Sequence, residues 1–265
     1  MREVVFDSDA VRVVKVEGAP QHEATGDSAR DNVVFVTFES YADERGADRA
    51  GFGEHFLQSR GFTAYHFLPR SNVWYQYPEM EAALASVRAD IAPGKRILTY
   101  GMSMGGYAAF RFADRLGAHC VVAFSPQYSI DPRIVKWEKR WHKGMADVPP
   151  LLWESGVPRR DVPLYVFYDP HDHDRRHVRL IAREHDVRRV RIRYGSHPCI
   201  GYLNECGLLG DVIIALAEDR FDAAACQREA WARREQSTTY QMHPSRMKRS
   251  TPLRVFRKYL MGRFG

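Results

Sequence analysis

No run of about 18 apolar residues occurs anywhere in the 265-residue sequence, so no ordinary membrane-spanning helix is expected. The mean hydropathy of −0.44 agrees. The opening stretch, MREVVFDSDAVRVV, lacks a basic region followed by an apolar core, so no secretory signal is expected. Cysteine is scarce: only Cys120, Cys199, Cys206 and Cys226, without framework spacing. This excludes a disulfide scaffold and points to reduced, buried thiols in a cytoplasmic protein. There is no internal repeat and no low-complexity tract. What remains is ordinary globular composition, 45% hydrophobic and 27% charged. At this length the chain makes one large domain or two small ones, with core enough to need no metal staple.

The net charge of +6 is unevenly spread. Residues 223–265 hold ten Lys or Arg against two Asp or Glu, a net of +8, which leaves the first 222 residues at −2. The near-neutral body disfavours nucleic acid as a partner. The basic tail, in particular the alternating LRVFRKYLMGRF of 253–264, suits an anionic membrane surface or an acidic partner. On this reading 1–222 form the main domain and 223–265 a C-terminal helix with a basic tail. Removing 237–265 would then leave the chemistry intact.

Short apolar runs alternate with helical patterns. Strands are expected at Val4–Phe6, Val11–Val16, Val33–Phe38, Thr63–Leu68, Arg96–Tyr100, His119–Phe124, Pro163–Tyr168 and Val187–Tyr194. Helices are expected at Phe52–Arg60, Pro78–Ile91, Met104–Leu116, Arg176–Glu184, Cys206–Asp219 and Ala223–Glu235. That order predicts an α/β protein whose mostly parallel sheet is covered on both faces. Residues 129–161, with three tryptophans and Pro149–Pro150, break the pattern as an irregular insertion.

Between the strand RILTY and the next helix lies Gly101-Met102-Ser103-Met104-Gly105-Gly106, a G-x-S-x-G turn. A sharp strand-to-helix turn exposes the serine hydroxyl, and small residues two positions either side allow the close approach. The helix N-terminus supplies free N–H groups for a developing oxyanion, Met104 N–H among them. The second donor is expected after Val33–Phe38, from the backbone of Glu39 or Ser40.

A serine nucleophile needs a base and an orienting acid, expected in that architecture on loops after later strands. His197, in Gly195-Ser196-His197-Pro198, is the expected base. The loop Asp169-Pro170-His171-Asp172-His173-Asp174 offers three acids. Asp172 is preferred, because Asp169-Pro170 reads as a turn initiator; Asp169 and Asp174 stay open. His171, Asp172, His173, Asp174 and His177 also invite a metal reading. Their spacing is neither H-E-x-x-H nor H-x-H-x-D-H, so no metal is expected. His171 and His173 read as solvated residues lining the site.

With GMSMGG (101–106), YDPHD (168–172) and GSHP (195–198) in the order Ser, Asp, His, the chain resembles the α/β-hydrolase superfamily over about residues 33–220. The resemblance implies eight strands with an antiparallel N-terminal edge, no cofactor, and a cap insertion after the sixth strand, here 129–161. The segments SNVWYQ (71–76) and SPQ (125–127) are similar to a bacterial subgroup of hydrolases, some linked to surface polysaccharides.

Candidate pocket aromatics are Trp74, Tyr75, Tyr77, Tyr128, Trp137 and Trp141. Lys136, Lys139, Arg140, Lys143, Arg159 and Arg160 are basic groups available to an anionic substrate. The expected activity is cleavage of a carboxylic ester through an acyl-enzyme on Ser103. The substrate is a small molecule or an acylated glycan. The alternatives are an acyltransferase with the same triad, or a non-catalytic binding module tethered by its basic tail. Fold analogy does not give the substrate.

Overall fold

The computed structural model describes residues 1–19, 28–46, 48–141 and 151–247. Eight strands make one sheet: β1 (Arg2–Asp7), β2 (Val11–Val16), β3 (Val33–Phe38), β4 (Thr63–Pro69), β5 (Arg96–Met102), β6 (Cys120–Phe124), β7 (Leu164–Tyr168) and β8 (Val187–Arg191). Their spatial order is β1-β2-β4-β3-β5-β6-β7-β8. β2 pairs antiparallel with β1 and β4, and every other pairing is parallel. The antiparallel edge and the parallel body match the expected α/β-hydrolase architecture.

The continuous apolar run of β3 follows from burial on both faces. Val33 and Phe35 enter one core, with the helices Glu54–Ser59, Cys199–Glu205 and Leu209–Ala217. Val34, Val36 and Phe38 enter the other, with the helices Met80–Asp90 and Met104–Arg111. A period of two sends alternate residues to opposite faces, so a doubly covered strand has no polar alternation to show.

Two expected helices are each broken. Met104–Leu116 divides into Met104–Arg111 and Ala113–Leu116. The span expected from Cys206 is instead Cys199–Glu205 followed by Leu209–Ala217, with Gly207 at φ 66° between them. The helix expected after residue 222 shares a core with the residues before it. Cys226, Ala230 and Tyr240 lie in the same buried cluster as Phe35, Phe167 and Val190. Among the described residues no single helix is long and apolar enough to cross a membrane. The four cysteines are buried and unbridged. The tail segment 253–264 and Lys143 lie outside the described residues.

His66 on β4 is fully buried, with Nδ1 2.6 Å from Thr37 Oγ1 and Nε2 unpartnered. Burial, reinforced by the charge of Arg2, lowers its pKa to about 3. A base whose folded pKa is depressed leaves the unfolded chain binding more protons below about pH 6.5, so stability is lost as pH falls, by up to about 1.4 kcal/mol per unit. The variant His66→Asn is expected to flatten the slope of urea-unfolding free energy between pH 6.5 and 4.5 by about one proton. An unchanged slope would rule out His66 as its source.

Candidate active site

β5 runs directly into Ser103, which sits at φ 54°, ψ −119°, a strained conformation for an L-residue. Its N–H donates to Phe124 O at 2.9 Å, and its carbonyl accepts from Tyr107 N–H at 2.9 Å. The turn is therefore clamped on both sides. The glycines around it are sterically required. A Cβ on Gly105 would lie 2.1 Å from Phe38 O, and one on Gly101 would lie 2.3 Å from Gly105 O. Met104 opens the helix, where the first N–H groups have no intrahelical acceptor. Ser40 Oγ donates to Met102 O at 2.9 Å, fastening the loop after β3 to the nucleophile turn. The Glu39 carboxylate is tied to Arg45 and Arg49, and its carbonyl accepts from Tyr75 Oη–H.

The loop after β8 carries His197. Asp169, at the end of β7, accepts from the N–H groups of His171, Tyr194 and Ser196 at 2.8, 3.2 and 3.0 Å. His197 Nε2 then lies 2.9 Å from Ser103 Oγ, and Nδ1 lies 2.8 Å from Asp174 Oδ2. The acid facing the imidazole is thus Asp174, a correction to Asp172. The turn closed by Asp172 N–H on Asp169 O carries Asp172 away from His197. There its Oδ1 accepts the Asp174 N–H and an Arg140 N–H, each at 3.2 Å. The helix starts at Asp174, two residues before the expected start. A signal was present: Asp174, His177, Val178 and Ile181 form the buried face of that helix at i, i+3, i+4, i+7 spacing.

Asp174 is fully buried, and its second oxygen accepts from Arg140 Nη2 at 2.8 Å. Burial alone would raise its pKa. The pairings with His197 and Arg140 outweigh burial and hold the carboxyl below its usual range. An ionised carboxylate only accepts, so His197 Nδ1 carries the proton and Nε2 offers its lone pair to Ser103. Arg140 also holds Glu138 at 2.6 Å. It is consumed by three carboxylates and is not a free cation for a substrate. His177 Nδ1 accepts from Tyr128 N–H, so its Nε2 donates to Glu138 at 3.1 Å. Burial lowers the His177 pKa and keeps the ring neutral at pH 7.

The structure divides the candidate aromatics. Trp74 and Tyr75 are fully buried and bonded within the protein, so they build the site rather than line it. Trp137 packs on His177 with centroids 4.5 Å apart, and the Tyr128 hydroxyl donates to Glu184; neither is held on Ser103 or His197. Trp141 lies against His197 at 5.5 Å and against Trp74 at 5.9 Å. Tyr41, not singled out from the sequence, joins this group at 5.8 Å from Trp141. His171 stacks on Tyr194 at 4.4 Å.

Gln127 was also without a role in the sequence reading. It is fully buried, and its Nε2 lies 3.2 Å from Ser103 Oγ. Seven non-glycine residues among those described have positive φ. Six of them, Trp74, Tyr75, Ser103, Ser125, Tyr194 and Ser196, adjoin this cluster; the seventh is Asp219. Strain concentrated in this way is a mark of a functional site.

No family model and no curated protein matches the sequence. Solved structures do match. A variant of the capsule O-acetyltransferase of Neisseria meningitidis serogroup A, in complex with CoA, is 13% identical with a TM-score of 0.51. That match covers 84% of this chain and 94% of the other. An esterase of Pyrococcus furiosus is 16% identical with a TM-score of 0.50, over 83% and 92% of the two chains. With the strand order, the strained serine turn and the placement of His197 after the last strand, these similarities give one answer: the chain has the α/β-hydrolase fold.

Proposed function

We propose that this chain is a serine hydrolase that cleaves a carboxylic ester through an acyl-enzyme on Ser103. The observation that carries this reading is the continuous contact Ser103 Oγ–His197 Nε2 and His197 Nδ1–Asp174 Oδ2, at 2.9 and 2.8 Å. In the first step the Oγ–C bond forms while His197 takes the Ser103 proton. Asp174 holds the tautomer and stabilises the imidazolium. The Met104 N–H and an N–H of Glu39 or Ser40 receive the charge that develops on the carbonyl oxygen. Collapse expels the alcohol, which takes its proton from His197. A water activated by the same histidine then releases the acid.

A second reading keeps the acyl-enzyme but passes the acyl group to an acceptor hydroxyl, for example on a glycan. It draws on the similarity to a capsule O-acetyltransferase bound to CoA. One experiment tests the shared step. Fluorophosphonate is expected to form a single adduct on Ser103, lost in Ser103→Ala and strongly slowed in His197→Ala. No adduct in folded protein would sink both readings and favour a binding module. Ester turnover with and without added sugar alcohols, followed by product analysis, then separates hydrolysis from transfer.

A further inference from the structure

The serine hydroxyl has one proton and two lone pairs. Here each is assigned by its surroundings. Trp74 Nε1–H can only donate, and it lies 3.2 Å from Gln127 Oε1. That contact fixes which end of the amide is which: Oε1 faces the indole, so Nε2 faces Ser103 and donates to Oγ at 3.2 Å. With one lone pair occupied by Gln127, the Oγ–H must point to His197 Nε2, 2.9 Å away. The remaining lone pair is the one free to attack. The donors thus run in one direction, from Trp74 through Gln127, Ser103 and His197 to Asp174. Trp74 and Ser125, which adjoin these contacts, both hold positive φ.

Resting on the acyl-enzyme reading above, we propose that Gln127 is a further catalytic residue that stabilises Ser103 Oγ as a leaving group. When the second tetrahedral intermediate collapses, the C–Oγ bond breaks and its electron pair moves to Oγ. His197 returns its Nε2 proton to that oxygen. Gln127 keeps both of its amide protons and donates a hydrogen bond to Oγ throughout. A donor on Oγ counts most when that oxygen gains negative charge, because hydrogen bonds to charged groups are the stronger ones. Oγ gains that charge when the acyl-enzyme breaks down. Gln127 therefore contributes more to deacylation than to the first attack, where the same bond also restrains the nucleophile.

The test compares Gln127→Met and Gln127→Glu with the wild type. The glutamate variant is nearly isosteric and keeps the acceptor for Trp74, so it serves even if the methionine variant folds poorly. Turnover of p-nitrophenyl acetate is expected to fall about 10- to 100-fold. Acetyl-Ser103 should accumulate in intact-mass spectra. The rate of fluorophosphonate labelling should fall less, since that reaction never has to release Oγ. An equal fall in labelling and turnover would mark Gln127 as merely structural, and unchanged turnover would exclude any role. Both outcomes overturn the proposal. A wild type that takes no label at all removes the acyl-enzyme reading, and the proposal with it.

Discussion

Replacing Asp174 by asparagine is expected to lower kcat about 10⁴-fold, whereas Asp172→Asn should cost less than about tenfold. The structure says why the first change is so damaging. Arg140 Nη2, which only donates, sits 2.8 Å from Asp174 Oδ1. In the variant, Arg140 claims the single amide oxygen, and the NH₂ group is left facing His197 Nδ1. A donor there forces the imidazole into the tautomer with its proton on Nε2. That nitrogen can no longer accept the Ser103 proton. Asp172 has no such position: its Oδ1 meets a backbone N–H and the edge of Arg140. Steady-state turnover of an activated ester by both variants, with circular dichroism to confirm folding, decides the matter. If Asp172→Asn proved the more damaging, Asp174 would not be the orienting acid.

Most of the architecture was legible because it rests on local pattern. β2 and β3 have the expected limits, β1 is longer at both ends, and the other strands shift by one to three residues at one end. The serine turn was legible because its chemistry demands glycine at fixed offsets. His197 was legible because it follows a strand at the right point in the chain. The acid was harder. Three aspartates within six residues differ in how the turn after β7 winds, and its anchors come from far along the chain: the Tyr194 and Ser196 N–H groups on Asp169, and Arg140 on Asp172 and Asp174. Gln127 was legible only as part of SPQ (125–127), with no role attached. A glutamine in a loop carries no periodic signal, and its meaning depends on Trp74, 53 residues away. The aromatics misled for the same reason. Composition shows that Trp74 and Tyr75 are large, but only packing shows that they support the site from behind.

Loss of the C-terminal arm is the second large effect expected, because its described residues pack on the domain. Ser237 is fully buried, caps the helix Thr238–Gln241, and donates to Glu205 at 2.6 Å. Tyr240 is buried against Tyr194 and Tyr202. His243 Nδ1 accepts from Ser245 N–H, so its Nε2 donates to Asp169 Oδ2 at 3.0 Å. Asp169 is the same carboxylate that holds the N–H groups of Tyr194 and Ser196, immediately before His197. The arm therefore braces the loop of the proposed base through one buried side chain, Asp169. Two truncations isolate it: removal of 237–265 against removal of 248–265. Losing one large buried aromatic costs about 3–5 kcal/mol, and in a domain of this size each kcal/mol lowers Tm by about 2–4 °C. The longer truncation should thus melt at least about 6 °C below the shorter one. It should also take fluorophosphonate on Ser103 more slowly, because His197 loses its backing. His243→Ala, which spares Tyr240, should slow labelling with a smaller loss of Tm. Equal labelling by all three proteins would mean that the arm stabilises the fold without steadying His197.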